Sequence, residues 1–478
     1  MESIVQAVLE KSIDNPDKIA IATGIKKITY RELSELIISF ATCLKEKGIK
    51  KGSRIIIEAV ELTSFFAAYL GCQLAGVIAI PIERNISIYQ LQNVMELTKP
   101  ALVFFKSNGE KYNDYFGVIP ENKIRYPKGN VVSTIASTTG TTGDSVLVTH
   151  TNKSMLATVQ NLVNGINITE KTVLFTNVPF DLSAGYRRVL ATLFVGATAV
   201  ITYKPLKDEL LLDFFKEYNI NSVTLLNIDL NYIFSIKNEE LLSRFSFLDF
   251  VETVAGSITS CDIHAFRAKF PNVTLYNVYG TTESGCLLIN NTTDNPMENC
   301  LGKPSCNTEI KIIDENGKQV TTAGKYGYIA VKGDMNMQGY YRKKTLSESV
   351  MIDEHIIISD IIYFDENGYY YFVSRVGDII DVSGRKVIPA EIENVAIEYD
   401  TIIDCACSSE EDNALGQIPV LYVVCKDKDY NIDKIKEYLK NNLEDYKVPK
   451  KIFRVKKIPR TSNGKILRRS LPTAQRIN

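Results

Sequence analysis

The feature that most constrains the fold of this chain is a repeated alternation of buried-strand and amphipathic-helix patterns. "YRELSELIISFATCLKEKG" places Leu33, Ile37 and Phe40 on one face and stops at Gly48, which is typical of a helix with a glycine cap. The apolar runs "SRIIIEAV" and "VIAIPI" flank a further helical pattern at 62–75, and the same order returns in "TVLFTNVPF", "RRVLATLFVG" and "TAVITY". This alternation predicts an α/β fold with mainly parallel sheets covered by helices.

The sequence changes character after about residue 300. Segments such as "EIKIIDENGKQV" and "IIYFDENGYYYFV" are typical of hairpin strands around Asn-Gly turns. From "GDIIDVSG" onward the chain carries a strand pattern, "IPVLYVVC", a helix pattern, "IDKIKEYLKNNL", and another strand pattern, "KIFRV". These patterns predict a large N-terminal domain, residues 1–376, which includes a β-rich subdomain, and a small α+β C-terminal domain, residues 377–478.

Composition argues against several classes of function. The 478 residues are too many for one ordinary core, and a net charge of −1 gives no general attraction to nucleic acid or to an anionic membrane. Nine cysteines without a CxxC pair and three histidines argue against a disulfide framework and a His-rich metal site. Thr63, Ser64 and Gln73 interrupt the apolar stretch 62–80, so we expect a buried helix and a strand there rather than membrane insertion. We expect a cytoplasmic protein.

One segment has the composition of an anion-binding loop. "STTGTTGDSV" begins at Ser137, directly after the apolar "VVSTIA". Glycines and successive backbone N–H groups let a loop approach phosphate oxygens closely, and threonine hydroxyls add further donors. No Gly-Lys-Ser/Thr follows at the spacing of a Walker A loop. Taken alone, the segment is also compatible with a short flexible linker.

Further segments narrow the interpretation. "NVYGTTES", "SDIIYFDENG", "SRVGDIIDVSGRKVIPAEIE" and "PRTSNGKILRR" follow the loop along the chain. Together with "ITYREL", "LAGVIAIPI", "FDLS" and "GYYR", the set resembles the superfamily of adenylate-forming enzymes, which includes acyl-CoA synthetases, luciferases and the adenylation domains of peptide synthetases. The resemblance covers nearly the whole chain. It implies an AMP-forming acid–thiol ligase that uses ATP and Mg²⁺ to make an acyl-adenylate and then passes the acyl group to a thiol of CoA or of a carrier phosphopantetheine.

The resemblance implies roles for individual residues. Thr282 would contact the α-phosphate, Glu283 would hold Mg²⁺, and Lys465 would bridge the substrate carboxylate and the α-phosphate. Tyr279 would stack on adenine. Without the resemblance, the alternatives are a core tyrosine, a solvated loop acid and a solvated basic face around Lys465. The other nucleotide-binding residues are expected to be Thr138, Thr139, Gly140, Thr141, Thr142, Gly143, Gly256, Gly280, Asp360 and Arg375.

The resemblance also implies that the small C-terminal domain is mobile. It places a hinge at Gly377, where rotation would withdraw Lys465 after adenylation and present Gly384 to the pantetheine arm of the thiol. Asp360 matches a carboxylate that accepts hydrogen bonds from both ribose hydroxyls, and its alternative is an exposed turn acid. Arg375 matches an arginine that approaches the ribose and the phosphates near the hinge.

The acid pocket is expected around Asp181, Gly185, Val278 and Cys286. Asp181, in "PFDLSAGY", matches the aspartate that pairs with the substrate ammonium in amino-acid-activating members, and it is equally typical of a helix cap. The expected partners are a small-molecule carboxylic acid or amino acid, with CoA or a separate carrier protein as acceptor. The alternatives to an acid–thiol ligase are a free-standing amino-acid adenylating enzyme and a degenerate nucleotide-binding protein.

The predicted phosphate loop departs from the family pattern in its charge. The family's loop continues into Pro-Lys-Gly, whereas this chain continues into "GDSVLVTH", without a lysine and with Asp144. A negative charge beside pyrophosphate oxygens is unfavourable. We therefore expect either that another cation takes the place of the lysine or that ATP binds weakly.

Overall fold

The structure is a computed structural model of the chain. It describes residues 1–82, 84, 86–105, 111–117, 124–138, 146–180, 182–254, 258–426, 431–460 and 466–476. The chain has an α/β fold and divides into two compact units, and each is described separately below. The first unit consists of Met1–Ile310 and Val331–Ile356, and the second of Lys311–Ala330 and Ile357–Asn478. The expected domain boundary at 376/377 falls within the second unit. That residues 377–478 move as a separate domain stays a prediction.

The strands are numbered in chain order. They are β1 Ile19–Ala22, β2 Lys27–Thr29, β3 Arg54–Glu58, β4 Ile78–Ile82, β5 Leu102–Phe104, β6 Val132–Ser137, β7 Leu147–Thr151, β8 Val173–Thr176, β9 Thr198–Ile201, β10 Ser222–Leu226, β11 Phe250–Val254, β12 Thr274–Thr281, β13 Gly285–Asn291, β14 Cys300–Pro304, β15 Glu309–Ile313, β16 Gly327–Lys332, β17 Gly339–Tyr340, β18 Met351–Ile352, β19 His355–Phe364, β20 Tyr370–Arg375, β21 Ile380–Val382, β22 Arg385–Val387, β23 Ile402–Asp412, β24 Gly416–Cys425 and β25 Lys451–Arg454.

The helices are numbered in the same way. They are α1 Ile4–Asp14, α2 Tyr30–Glu46, α3 Leu62–Ala75, α4 Ile88–Thr98, α5 Asn152–Gly165, α6 Ser183–Phe194, α7 Asp208–Tyr218, α8 Leu230–Ser235, α9 Glu239–Phe245, α10 Ser260–Lys269, α11 Lys344–Ser349, α12 Pro389–Ile397 and α13 Ile432–Asn442. The predicted helices in the first hundred residues and the strands that flank them are confirmed.

Two sheets form the framework of the first unit. One has the order β14-β13-β12-β11-β10-β8-β9-β1-β2, and its strands from β12 to β1 all run parallel to their neighbours. The other has the order β17-β7-β6-β4-β3-β5, and its strands from β6 to β5 are also parallel. The prediction of mainly parallel sheets covered by helices is therefore confirmed.

The core of the first unit depends on close packing of α2 against α3. Phe40 of α2 lies against Gly71 of α3, where an added Cβ would meet Phe40 Cδ1 at 2.8 Å. Helix α3 is buried along almost its whole length, which explains its uniformly apolar sequence without a membrane. Within the described part of the chain, no helix has both the length and the apolar character needed to cross a bilayer.

The second unit contains the hairpin strands predicted from the Asn-Gly turns. Strands β15, β16, β19 and β20 are neighbours in that order, and a further sheet has the order β22-β21-β24-β23 with β25 parallel to β24. Helices α12 and α13 pack on this sheet through Ile392, Ala396, Ile435 and Leu439. The helix predicted from "IDKIKEYLKNNL" is thus confirmed as α13, and its apolar side chains are the buried ones.

A buried ion pair joins α6 to the parallel sheet of the first unit. Arg188 Nη2 lies 2.6 Å from Glu252 Oε1 of β11, and the two side chains are only 6% and 0% exposed. Thr224 of β10 donates to the second carboxylate oxygen at 2.6 Å. Because both charges have left water, each depends on the other for compensation.

We predict that breaking this pair on one side destabilises the first unit severely. Glu252→Leu is expected to lower the free energy of unfolding by about 3–5 kcal/mol, since it leaves the Arg188 guanidinium buried and uncompensated. The double variant Glu252→Leu with Arg188→Met is expected to cost clearly less than the sum of the two single substitutions. The midpoints of urea unfolding of the four proteins measure this, and strictly additive costs would contradict it.

Candidate active site

Four of the residues predicted to bind nucleotide or Mg²⁺ lie in a tight β-hairpin of the first unit: Tyr279, Gly280, Thr282 and Glu283. Strands β12 and β13 pair antiparallel, with an irregularity between Tyr279 and Gly280. A Cβ at Gly280 would lie 2.1 Å from the carbonyl oxygen of Gly285, and Gly285 has a φ of +65°. The glycines of "YGTTESG" are therefore required by the turn itself, whose Ser284 N–H donates to Thr281 Oγ1 at 3.0 Å.

Two buried side chains fix the carbonyl groups of this turn. Arg187 of α6 donates from Nη1 to Thr281 O and from Nη2 to Thr282 O, both at 3.1 Å. His150, in β7, lies with its Nε2 at 2.8 Å from Thr282 O. The same nitrogen lies 3.1 Å from Arg187 Nη2, and we assign its proton to the shorter contact, because a carbonyl oxygen only accepts. The Thr282 carbonyl oxygen, next to the predicted α-phosphate contact, thus accepts two hydrogen bonds, and the Thr281 carbonyl oxygen accepts one.

The imidazole of His150 is neutral. Burial, together with the neighbouring Arg187 charge, lowers the pKa of His150 from 6.5 to about 3, and the hydrogen bond to Thr282 only partly offsets this. The side chain acts as a fixed neutral donor and does not serve as a general base near neutral pH.

Glu283 is positioned through both its side chain and its backbone. Tyr340 Oη donates to Glu283 Oε1 at 3.2 Å, and the Met337 N–H donates to the Glu283 carbonyl oxygen at 2.7 Å. Burial and the Glu283 charge raise the pKa of Tyr340, which keeps the phenol protonated and able to donate. The carboxylate is therefore partly buried and oriented by Tyr340.

The two residues that flank the predicted phosphate loop, Thr138 and Val146, are hydrogen-bonded to each other. Thr138 N–H donates to Val146 O at 2.9 Å, and Val146 N–H donates back to Thr138 Oγ1 at 3.3 Å, so these two residues close the loop. Strand β7 then pairs with β17, where Thr149 Oγ1 donates to Gly339 O at 2.7 Å. One strand thus connects the loop, His150 and the Tyr340 segment. The predicted loop residues Thr139, Gly140, Thr141, Thr142 and Gly143 lie outside the described residues, as does Gly256.

Asp360 and Arg375 are brought together in the second unit. They occupy paired positions of β19 and β20, and Arg375 Nε lies 3.3 Å from Asp360 Oδ1. The Asp360 side chain is only 8% exposed, so it is not an exposed turn acid. The pair places a carboxylate and a guanidinium side by side, the two groups expected to bind ribose and phosphate.

The predicted acid-pocket residues lie at the start of α6 and in the β12–β13 hairpin. A Cβ at Gly185 would meet the Pro179 carbonyl oxygen at 2.1 Å, so glycine is needed there for backbone packing. Val278 and Cys286 are buried in the core, and burial raises the pKa of the Cys286 thiol to about 12. Asp181 lies outside the described residues, and the N-cap position of α6 is Leu182, without a side-chain cap.

Two of the residues predicted to act in the C-terminal part of the chain, Gly377 and Gly384, lie between strands of the second unit. Gly384 has a φ of +81° in the β21–β22 turn with open space at its Cβ position, and its N–H donates to Asp381 Oδ1 at 2.7 Å. Gly377 also has open space around it. Lys465 lies outside the described residues. Before and after it in the chain, Arg460 donates to Asp404 at 2.8 Å and Arg468 donates to Glu393.

The donor set at Glu283 fits Mg²⁺. Among the described residues no group of three His, Cys, Asp or Glu side chains could hold a metal ion by itself. Mg²⁺, however, is usually bound by one or two carboxylates together with substrate phosphates. A single carboxylate oriented by Tyr340 next to a predicted α-phosphate contact meets that requirement.

Comparison with known proteins identifies the family of the chain. The family model described as AMP-binding enzyme matches residues 9–341, and the model for the AMP-binding enzyme C-terminal domain matches residues 391–465. The chain therefore belongs to the AMP-binding enzyme family, within the adenylate-forming superfamily. It is an AMP-forming enzyme of the acyl-CoA synthetase type.

Individual relatives are similar along their whole length. A 2-succinylbenzoate–CoA ligase of Staphylococcus epidermidis is 27% identical, covering 97% of this chain and 96% of the relative. The ATP-bound MatB of Rhodopseudomonas palustris is 21% identical with a TM-score of 0.90, covering 98% of both chains. The O-succinylbenzoate coenzyme A synthetase of Bacillus subtilis, solved with ATP and a magnesium ion, is 22% identical with a TM-score of 0.85, covering 98% of this chain and 99% of that one. The two structural matches establish the shared fold.

Sequence reasoning missed three residues that support the site: Arg187, His150 and Tyr340. His150 appeared only in a count of histidines, and Arg187 only inside a helix pattern. Tyr340 was part of the quoted "GYYR" without a role of its own. The one available signal was an arginine inside an apolar helix pattern. When such an arginine is buried, it usually donates hydrogen bonds to a specific carbonyl or carboxylate group.

We predict a pH dependence of stability caused by His150. Its pKa is lower in the folded state than its ordinary 6.5, so its contribution is fully present above about pH 6.5 and is lost progressively as the pH falls towards 3. Between about pH 7.5 and pH 5 this amounts to a loss of about 2 kcal/mol. His150→Gln, which cannot titrate, is expected to show a correspondingly flatter dependence of the urea-unfolding midpoint on pH.

The matched control is His264→Gln, because His264 is exposed and belongs to the same first unit. It should keep the pH dependence of the unmodified protein. A His150→Gln variant whose unfolding midpoint falls with pH as steeply as that of the control would show that His150 is not the titrating group.

Proposed function

We propose that this protein is an acid–CoA ligase that works through an acyl-adenylate, with ATP and Mg²⁺. The observation that carries the proposal is the fixed Thr281–Glu283 turn, in which Arg187 and His150 hold the carbonyl groups and Tyr340 holds the carboxylate. A preorganised turn is what phosphoryl chemistry needs, because it orients donors before charge develops on the phosphate oxygens.

In the first half-reaction, an oxygen of the substrate carboxylate attacks the α-phosphorus of ATP. The bond from that phosphorus to the bridging oxygen of the β-phosphate breaks, and pyrophosphate leaves. Thr282 contributes a donor to the α-phosphate, Tyr279 stacks on adenine, and the Lys465 ammonium lies between the carboxylate and the α-phosphate. Glu283 would hold Mg²⁺, which when bound neutralises charge on the phosphate oxygens.

In the second half-reaction, the thiolate of the acceptor attacks the acyl carbon, and the bond from that carbon to the AMP oxygen breaks. The products are a thioester and AMP, and the thiol proton is released to solvent. Gly384 lies in a turn with open space beside it, which suits a backbone that a pantetheine arm passes closely. The change between half-reactions requires the residues after Gly377 to rotate.

CoA is the acceptor that the relatives favour, because the S. epidermidis relative and the B. subtilis neighbour are both named as CoA ligases or synthetases. The acid is a small carboxylic acid. The free-standing amino-acid adenylating alternative depends on Asp181 pairing with a substrate ammonium. We also place the enzyme in the cytoplasm, where its nine free cysteines would stay reduced.

The proposed function predicts acid-dependent exchange between ATP and labelled pyrophosphate. A panel of fatty, aryl and amino acids should show exchange with one class, followed by AMP release and thioester formation when CoA is added. Lys465→Ala is expected to reduce exchange by about 10²–10³-fold, the usual effect of removing one group that stabilises transition-state charge. It should leave thioester formation from added acyl-adenylate and CoA nearly intact.

The matched control is Lys457→Ala, an exposed lysine of the same basic segment, which should keep normal exchange. Exchange that is absent with every acid would overturn the proposed function in favour of a degenerate nucleotide-binding protein. Exchange that equals that of the unmodified enzyme in Lys465→Ala would remove the role of that lysine.

A further prediction separates the acid ligase from the amino-acid alternative. Asp181→Ala is expected to leave exchange within about twofold if the substrate has no ammonium group, since no charge pair is then lost. A selective loss of amino-acid-dependent exchange in Asp181→Ala, together with transfer to a carrier protein rather than CoA, would establish the alternative.

A further inference from the structure

A cavity of about 490 Å³ opens in the first unit beside β17 and α11. Its walls include Thr149, Tyr340, Arg342, Lys344 and Glu348. Two cations and one anion therefore line it. None of these residues was assigned a role from the sequence.

Residues in the wall of this cavity contact two parts of the predicted nucleotide site, Glu283 and the base of the phosphate loop. Tyr340, in its wall, is the residue whose hydroxyl reaches Glu283 at 3.2 Å. Thr149, on the same wall, belongs to β7, and the Tyr341 N–H donates to Leu147 O at 2.7 Å, where β7 leaves the predicted phosphate loop. A ligand group in this cavity is therefore next to both Glu283's partner and the base of the loop.

Arg342 is the cation available for a ligand. Lys344 pairs with Glu348 at 3.6 Å, so its charge is already partly balanced. The guanidinium of Arg342 lies over the ring of Tyr341, 5.5 Å from its centroid, and within the described ranges no carboxylate forms an ion pair with it. A guanidinium offers five donors in a planar fork that matches phosphate oxygens.

The left-handed backbone conformation of Arg342 indicates that its side chain has a specific role. Its φ is +55°, in the left-handed region where a residue with a Cβ costs about 1–2 kcal/mol relative to an ordinary conformation. Glycine or asparagine would fit this turn at lower cost. A long charged side chain at such a position is explained if the turn directs it at a charged group.

We propose that Arg342 binds the β- and γ-phosphates of ATP and supplies the positive charge that the phosphate loop lacks. The segment from Thr138 to Val146 contains no lysine or arginine and includes Asp144, so a polyphosphate there needs a cation from elsewhere in the chain. The cavity beside β7 provides one at the base of that segment. This assignment rests on the proposed function, since it takes ATP as the nucleotide.

The test compares the binding of ATP and of AMP, each with Mg²⁺, to the full-length chain by titration calorimetry. Arg342→Gln removes the charge and keeps a side chain with a Cβ at this left-handed position, so the backbone cost is similar in both proteins. It is expected to weaken ATP binding about tenfold or more and AMP binding less than twofold, because AMP has no β- or γ-phosphate. Arg342→Lys should recover part of the ATP affinity. The matched control is Lys343→Gln, the neighbouring exposed lysine outside the cavity wall, which should bind both nucleotides normally.

Two results would overturn the assignment: ATP binding to Arg342→Gln within twofold of the unmodified protein, or an equal loss of ATP and AMP binding. These are distinct from failure of the proposed function. If the protein binds ATP but no acid supports pyrophosphate exchange, the ligase proposal fails while the Arg342 comparison still gives its answer. If exchange occurs and Arg342→Gln binds ATP normally, only the Arg342 assignment fails.

Discussion

The arrangement of the site depends on the hydrogen bonds that Arg187 and His150 make to the Thr281 and Thr282 carbonyl groups. A β-hairpin turn normally leaves such carbonyls to water. Here they are satisfied by a guanidinium that is 3% exposed and an imidazole that is 0% exposed. Because the carbonyl side is fully engaged from within the core, the opposite side of the turn is the one left to meet a ligand.

The same contacts determine the electrostatics of the turn. Within the described residues, no carboxylate forms an ion pair with Arg187, so its charge is balanced mainly by carbonyl dipoles. Its positive potential therefore extends to the Thr282 backbone, which favours an anion such as phosphate. His150 adds a donor without adding charge, because its pKa lies far below neutrality. Glu283 then provides the one negative group of the turn, which suits a metal ion rather than a phosphate.

Much of the fold could be predicted because its signals are local. The apolar face of α2, the uniformly apolar α3 and the Asn-Gly hairpins each depend on neighbouring residues in the sequence. Strand β23 was not predicted, since charged residues fill its second half and break the strand pattern. The interleaved division of the chain, with 311–330 in the second unit, depends on strand pairing over long distances and leaves no local signal.

The supporting residues of the site could not be predicted for the same reason. Motif residues such as Gly280 and Glu283 lie together in the chain, and their chemistry is visible in one segment. His150, Arg187 and Tyr340 come from three elements, β7, α6 and β17, that are far apart in the sequence and meet at the turn only in the folded first unit. A histidine within a strand and a tyrosine in a two-residue strand have no pattern that distinguishes them from core residues.

The choice of arginine at position 187 follows from the spacing of its targets. Nη1 donates to Thr281 O and Nη2 to Thr282 O, and both distances are 3.1 Å, so one planar group spans two successive carbonyls. A lysine ammonium is a compact charge and would have to approach one carbonyl at the expense of the other. A buried lysine would also lose its proton more readily. Without that proton it would lose the charge that orients the turn. The guanidinium therefore fixes the turn's geometry and its potential together, which links the helix α6 sequence to the position of Thr282.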